Sequence, residues 1–300
     1  MITVENIITN IKMVISLLII PFKILVRMPS FILNAIRPFK QIFKKANSYY
    51  ADYQKFMGTS DMPEFGLIYH RLNPVGRATE DFGSCGCDMY ILNLNNGAYD
   101  KKLKATLFHE FTHIYDDELF IKKHRIGNTA NGNRKKYVYE EIHAEQVKIL
   151  HMLGCKLITD SPQIDHNTMI IGIRNKMVTF HDYCIEYRDE LNKKIDIMKS
   201  LQNSNGMFSM SIERCNQNIN FILYYIGTIS IYKKYCTYDI DNVMDLSYIT
   251  YYLGEGIKRL VEIYCTDIDI EDIPKGVIIE SSNIRVDIMN FMKNELRIVK

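Results

Sequence analysis

The chain has 300 residues, of which 47% are hydrophobic and 24% are charged, and its formal net charge is +2. These values are typical of globular proteins and leave enough apolar side chains for a core, which argues against a disordered chain. A net charge so close to zero also argues against a protein that binds nucleic acid over its whole surface.

Residues 1–46 form a basic and apolar arm in which Glu5 is the only acid. Its longest uncharged apolar stretch, Met13 to Phe22, has about half of the roughly 20 residues that a membrane-spanning helix needs, and three prolines interrupt the arm. No small-residue cleavage site follows that stretch, as one would after a signal peptide. The pattern predicts short amphipathic helices that lie on a membrane surface, bind a partner protein or pack on the protein's own core.

A helix is predicted around Tyr49 to Met57, and two strands follow it, at Gly66 to Leu72 and at Met89 to Asn95. Residues 73–86 separate the strands and are rich in Gly, which predicts a loop. Cys85-Gly-Cys87 lies at the end of this loop and is a weak pattern for a metal site.

Asp100 is a suitable N-cap for a helix that extends to about Leu119. Residues 119–136 contain six Lys or Arg residues and no acid, and their Gly and Asn content predicts a basic loop. A helix from Tyr137 to Leu153 follows and is expected to end at Gly154. Beyond it the pattern predicts three or four long helices, at about 168–202, 208–234, 241–265 and 283–298. The apolar stretch 219–232 is too short to span a membrane and is expected to be a buried core helix.

The segment His109-Glu110-Phe111-Thr112-His113 has the spacing of a metal site on a helix. Residues four apart lie on one helix face, so both imidazoles can bind one ion, and zinc accepts two His nitrogens together with a carboxylate. Glu110 is offset by about 100° from His109, which suits a general base beside the metal better than a ligand. Because so short a pattern also arises by chance, its context matters, and here a strand precedes it and a helix with spaced carboxylates follows.

That second helix contains Glu141-Ile142-His143-Ala144-Glu145. Together with His-Glu-x-x-His, this pattern resembles the gluzincin branch of zinc metallopeptidases, in particular the small zinc-peptidase domains of phages and bacteria. The resemblance covers residues 65–155 and implies an α+β, zincin-like core that binds one Zn²⁺. It further implies that Glu141 is the third zinc ligand and that Glu145 orients a liganding imidazole. The second role agrees with the usual pairing of a metal-bound His with a carboxylate.

Some assignments stay open. Glu140 points about 100° away from Glu141 and is expected to face water, but a shift of the helix by one residue would make Glu140 or Glu145 the ligand instead. Asp116 and Asp117 either hydrogen-bond a ligand or face water. His124 and His143 are further candidate ligands. The donor that stabilises the transition state in such enzymes has five candidates: Tyr137, Tyr139, His143, His166 and His181.

The expected function is zinc-dependent hydrolysis of a peptide or protein substrate, with Glu110 taking a proton from a zinc-bound water as it attacks the carbonyl. The strand from Met89 to Leu94 is expected to form the rim of the cleft and to pair its free edge with the substrate backbone. The cations of residues 119–136 either favour acidic substrates or face water.

Two other classes of function compete with this one. The first is a membrane- or assembly-associated binding protein whose zinc site is structural or vestigial, which the arm and the helical C-terminal half suggest. The second is nucleic-acid binding through the arm and the basic loop, which is the weakest because no aromatic and basic platform accompanies the charge.

The sequence therefore predicts three units: the arm at 1–46, a zincin-like metallopeptidase domain at 47–160 and a helical domain at 161–300. The seven cysteines are odd in number and scattered, as reduced core cysteines are. This favours a reducing, cytoplasmic compartment, with membrane association through the arm as the alternative. The heavy use of Ile, Asn and Lys is typical of an AT-rich bacterial or phage genome.

Overall fold

The computed structural model describes residues 39–70, 78–82, 89–95, 102–127, 130–173, 176–203, 212–248 and 255–265, and a few positions between 269 and 284. The arm before residue 39, the Cys85-Gly-Cys87 pair, the expected cap Asp100 and the predicted helix beyond residue 284 lie outside these residues. The described part is α+β and mostly helical, with a small sheet, as predicted. The zincin-like core stays a prediction.

The first helix, α1 (Phe39–Met57), has one buried face. Ile42, Ala46, Tyr50 and Tyr53 recur every three or four residues, the period of an α-helix, and are 8% exposed or less. The helix ends before Gly58, whose φ of 65° lies in the left-handed region that glycine adopts without strain. The predicted boundary between arm and domain, at residue 46, falls inside this helix.

A three-stranded sheet follows, made of β1 (Phe65–His70), β2 (Ala78–Phe82) and β3 (Tyr90–Asn95). The strand order is β1-β3-β2, so β3 lies in the centre, parallel to β1 and antiparallel to β2. The expectation that this strand has a free edge for substrate is therefore wrong. Strand β2 occupies that edge. It was predicted as part of a loop because its central residues, Thr-Glu-Asp, are polar, and acids are uncommon in strands.

Helix α2 (Leu103–Leu119) carries the histidine pair and continues as a π-helical segment, Phe120–His124. Helix α3 (Ala130–Met152) begins soon afterwards and ends near Gly154, whose φ is 87°. The predicted end of α3 is confirmed. The prediction of a basic loop at 119–136 is wrong, because most of these residues are helical. Lys and Arg are good helix formers, so the charge of this segment did not exclude helix.

The remaining elements are the hairpin β4 (Met169–Ile171) and β5 (Met177–Thr179), followed by α4 (Phe180–Asn203), α5 (Ile212–Tyr235), α6 (Ile240–Val243) and α7 (Glu255–Tyr264). The helix predicted at 168–202 begins instead at Phe180, because the hairpin occupies the first part of that range. The tight turn needs Gly172, where an added Cβ would lie 3.1 Å from the carbonyl oxygen of Lys176. The predicted continuous helix at 241–265 is also wrong, because the chain is not helical at 245–246.

The layers pack in the order α1, α2, α3, α5. Aromatic side chains join α1 to α2, with ring centroids 4.7 Å apart for Tyr50 and Phe111 and 5.4 Å apart for Tyr53 and Phe108. The apolar stretch of α5, residues 219–232, is largely buried, as predicted. In the part of the chain that the structure describes, no helix is both long and apolar enough to cross a membrane. Helix α5 belongs to the predicted helical domain and packs directly on α3 of the predicted metallopeptidase domain. The division into domains stays a prediction.

Candidate metal centre

His109 and His113 lie one turn apart on the same side of α2, and their ring centroids are 5.0 Å apart. Leu107, Phe111 and Ile114 form the adjoining face of the helix and are 1% exposed or less. This face packs into the core, and the helix predicted up to about Leu119 is confirmed. Packing of the apolar face therefore holds both imidazoles near the contact between α2 and α3.

The third side chain of the centre, Glu141, comes from α3. Its Oε2 lies 3.6 Å from Nε2 of His109 and 3.8 Å from Nε2 of His113. These distances exceed the roughly 2.7–3.2 Å of a hydrogen bond to nitrogen. Oε2 is buried and has no hydrogen-bond partner among the described residues. A carboxylate oxygen thus faces two imidazole nitrogens without bonding directly to either.

This spacing suits three ligands around one ion. Ligand atoms bound tetrahedrally at about 2.0–2.2 Å from zinc lie roughly 3.3–3.5 Å from one another. The two imidazole nitrogens and the carboxylate oxygen all lie within 4.8 Å of one another. The group of His109, His113 and Glu141 could therefore hold a metal ion, which is the set of side chains that the sequence predicted.

Glu145 lies on the other side of His109. Its Oε2 is 3.5 Å from Nδ1 of the imidazole, and the side chain is fully buried. The same oxygen is 2.7 Å from Nζ of Lys148. Burial opposes ionisation, but Lys148 and His109 together hold the pKa of Glu145 below its usual value. Glu145 is therefore an ionised carboxylate placed behind a candidate ligand.

The two imidazoles differ in charge although they are neighbours. Burial disfavours the charged form of His109, but Glu141 and Glu145 outweigh it and raise the pKa to about 9. At His113 burial prevails over Glu141 and lowers the pKa to about 4. Burial also opposes ionisation of Glu141, and the two imidazoles overcome it and lower the pKa. His113 and Glu141 thus have the forms that bind a metal, whereas His109 must first lose a proton.

Glu110, the predicted general base, is 8% exposed and follows His109 on α2. Its negative charge helps to raise the pKa of His109. It also contributes, after burial and Glu141, to the raised pKa of Tyr224. Glu110 is therefore near enough to His109 for its charge to act on that imidazole, and its role as the general base stays a prediction.

Helix α5 adds two polar side chains that the sequence analysis missed. Nδ2 of Asn220 donates a hydrogen bond to Oε1 of Glu141 at 3.3 Å, and Oδ1 of Asn220 accepts one from the hydroxyl of Tyr137. Tyr224 lies edge-on to His109, with ring centroids 5.0 Å apart, and burial together with the nearby charge of Glu141 raises its pKa. The one signal in the sequence is the spacing of these residues on a single helix face, and spacing does not tell which surface that face meets.

Asp116 and Asp117, for which water was one alternative, are buried, and the side chain of Glu140 is 12% exposed. Asp116 is fully buried, and its Oδ1 is 2.8 Å from Nδ1 of His143. Asp117 pairs with Lys136, whose Nζ also lies 3.1 Å from Oε1 of Glu140. The expected solvation of Glu140 is wrong, as is the alternative that Asp116 and Asp117 face water, because His143 hydrogen-bonds Asp116 and the buried Lys136 pairs with Asp117 and Glu140 inside the protein.

The other candidate ligands and donors have different surroundings. His124 is exposed, and Tyr139 packs its ring beside His143 at 5.2 Å between centroids. His166 packs on a tyrosine at 3.8 Å between centroids, and Nε2 of His181 lies 2.7 Å from an aspartate. Of the five predicted donors, Tyr137 is connected to the centre by hydrogen bonds through Asn220.

Known proteins provide no assignment for this centre. No family model, no curated protein and no solved structure matches the chain. The resemblance to gluzincins rests on the two helical motifs alone and stays a prediction. What can be said of the centre comes from its own geometry.

Proposed function

We propose that the chain is a zinc-dependent peptidase that binds one Zn²⁺ through His109, His113 and Glu141. The observation that carries the proposal is the buried Oε2 of Glu141, which faces two imidazole nitrogens and has no hydrogen-bond partner among the described residues. A buried carboxylate oxygen left without a partner costs free energy, and a bound cation removes that cost.

Zinc is the ion that the ligand set favours for hydrolysis. Two imidazoles and one carboxylate form the protein side of known catalytic zinc sites, which keep a fourth position for water or substrate. The same ligand set also binds iron(II) in other proteins. The identity of the ion is therefore measured directly in the test of this proposal.

The protein side chains have distinct roles in the proposed reaction. A bound Zn²⁺ supplies a Lewis acid that polarises the peptide carbonyl and lowers the pKa of water. Glu110 accepts the proton of the attacking water and returns it to the leaving amine. Oε2 of Glu145 faces Nδ1 of His109 at 3.5 Å, and its negative charge favours the ring orientation in which Nε2 faces Glu141. Tyr224, whose hydroxyl stays protonated because burial raises its pKa, is the donor that we assign to the developing charge on the carbonyl oxygen.

The test compares the wild-type chain with Glu110→Gln by elemental analysis and by cleavage of a mixed peptide library. Both proteins should contain one zinc per chain, and the variant should cleave about 10²–10⁴-fold more slowly, the usual contribution of a general base. Glu118→Gln is the matched control, since Glu118 lies on the same helix and its carboxylate accepts a hydrogen bond from Tyr90. Its cleavage rate should equal that of the wild type.

Three results would contradict the proposal in different ways. If the Glu110→Gln variant cleaves at the wild-type rate, Glu110 is not the general base. A chain that purifies with iron and not zinc would remove the zinc assignment. A chain with no stoichiometric metal would end the proposal as a whole.

A second candidate function is a membrane- or assembly-associated binding protein with a structural metal site. The observation that favours it is burial: the side chains of His109, His113 and Glu141 are 7%, 16% and 11% exposed, and structural zinc sites are closed to solvent. Zinc content without peptide cleavage, together with vesicle flotation that requires residues 1–46, would support this function over hydrolysis.

A further inference from the structure

The amide of Asn220 connects helix α5 to the candidate ligand Glu141. An ionised carboxylate only accepts hydrogen bonds, so the amide must present its NH₂ group to Oε1 of Glu141, 3.3 Å away. The carbonyl oxygen of the amide then faces Tyr137, whose hydroxyl donates to it. The donors and acceptors along Tyr137, Asn220 and Glu141 therefore allow one orientation of the amide.

These two hydrogen bonds determine which carboxylate oxygen of Glu141 faces the imidazoles. With Oε1 bound by Asn220, the other oxygen, Oε2, is the one left facing His109 and His113. Without the amide, the carboxylate would be free to rotate about its terminal torsion and to turn either oxygen toward the imidazoles. The amide therefore selects the arrangement in which one oxygen is available to an ion.

Close packing of α5 on α3 holds the amide in place. A Cβ added to Gly227 would lie 2.8 Å from the carbonyl oxygen of Ile142 and 3.0 Å from Cβ of Glu145. The two helices are thus in backbone contact one turn beyond Glu141. Asn220, Tyr224 and Gly227 recur at helical spacing, so the same face that makes this contact carries both polar groups to the centre.

We propose that Asn220 is a positioning residue for Glu141, oriented by Tyr137, and that helix α5 thereby sets the affinity of the centre for its ion. The inference rests on the proposed metal-binding function and adds to it a residue pair outside both sequence motifs. Tyr137 acts on Glu141 through Asn220, and this serial action distinguishes the role from two separate contributions to folding.

The experiment measures the dissociation constant for Zn²⁺ on the full-length chain, by competition with a chromogenic chelator after metal removal. Asn220→Leu keeps a similar volume and removes the donor, and it should weaken zinc binding about 10–100-fold, as is typical when the support of a ligand is lost. Tyr137→Phe should weaken it less. In the double variant, binding should be no weaker than in Asn220→Leu, because the two residues act in series.

Ser230→Ala is the matched control. Ser230 accepts a hydrogen bond from Gln146 at 2.8 Å across the same contact between α3 and α5, but neither residue bonds to a candidate ligand in the described structure. This variant should lose stability to urea and keep the zinc affinity of the wild type. If it weakens zinc binding as much as Asn220→Leu does, helix docking in general explains the effect and the inference is overturned.

The remaining outcomes separate this inference from the function on which it rests. A wild-type chain that binds no zinc overturns both. A wild-type chain that binds zinc, with unchanged affinity in Asn220→Leu, overturns the positioning role and leaves the metal centre standing. Additive effects of the two single variants overturn the role of Tyr137 in orienting the amide. If Asn220→Leu does not fold, Tyr137→Phe decides, and wild-type affinity in that variant counts against the inference.

Discussion

Oε2 of Glu145 lies 3.5 Å from Nδ1 of His109, while Oε2 of Glu141 lies 3.6 Å from Nε2 of the same ring. One imidazole thus stands between two carboxylates, each facing one of its nitrogens. Because Glu141 and Glu145 are one turn apart on α3, a single helix supplies both. The pair explains why the pKa of His109 is raised despite burial, and it links metal binding to the loss of a proton.

The adjacent acids Glu140 and Glu141 should respond differently to the same change. Glu141→Gln should weaken zinc binding by more than the roughly 10–100-fold that follows loss of a supporting group, because it replaces a charged ligand by a neutral amide. Glu140→Gln should keep wild-type affinity, since Glu140 faces Lys136 and not the imidazoles. Chelator competition measures both, and equal losses in the two variants would show that the candidate ligand is misassigned.

Zinc binding should release about one proton per ion near pH 7. His109, with a pKa of about 9 in the metal-free protein, is then protonated, whereas His113, with a pKa of about 4, is already neutral. Protons compete with the ion below the pKa of His109, so affinity should rise with pH and level off above about 9. Calorimetry in buffers of different ionisation enthalpy counts the protons. A binding enthalpy that does not depend on the buffer would contradict the assignment of the raised pKa to His109.

Lys136 should be important for stability although it belongs to a segment that resembles a surface loop. Its side chain is 3% exposed and pairs with Asp117 and Glu140. Lys136→Met should lower the free energy of unfolding by about 3–5 kcal/mol, because it leaves two buried carboxylates without their cation. Urea denaturation in the presence of a chelator measures this loss without a contribution from metal. Lys123→Met, at an exposed position, should change stability by about 0.5 kcal/mol or less, and a similar loss in both variants would contradict the role of burial.

Gly227→Ala should destabilise the chain although alanine favours helix. The helix propensity of alanine would add about 1 kcal/mol, but the new Cβ would lie 2.8 Å from the carbonyl oxygen of Ile142 and force α3 and α5 apart. Overpacking of this kind costs about 1–3 kcal/mol. Gly127→Ala is the control, because nothing lies within 4 Å of its added Cβ. If Gly227→Ala is the more stable of the two in urea, the helices do not approach as closely as described.

The failures of sequence interpretation have specific physical causes. The strand Ala78–Phe82 was not predicted because its central residues are polar, and it pairs on the side of β3 that was expected to be free. Glu140 was expected to face water because it points away from Glu141 on the helix, and water was one of two alternatives for Asp116 and Asp117. Their burial depends on His143 and Lys136, and no local pattern shows that these partners come within reach.

Periodicity within single helices accounts for what the amino-acid order alone was able to establish. His109 and His113 share a face because they are four residues apart, and Glu141 and Glu145 follow the same rule on the next helix. The positions of Asn220 and Tyr224 over the centre follow from the packing of α5 on α3. That contact joins residues far apart in the chain, and its geometry depends on side-chain shape and on the small volume of Gly227, which hydrophobic spacing does not encode.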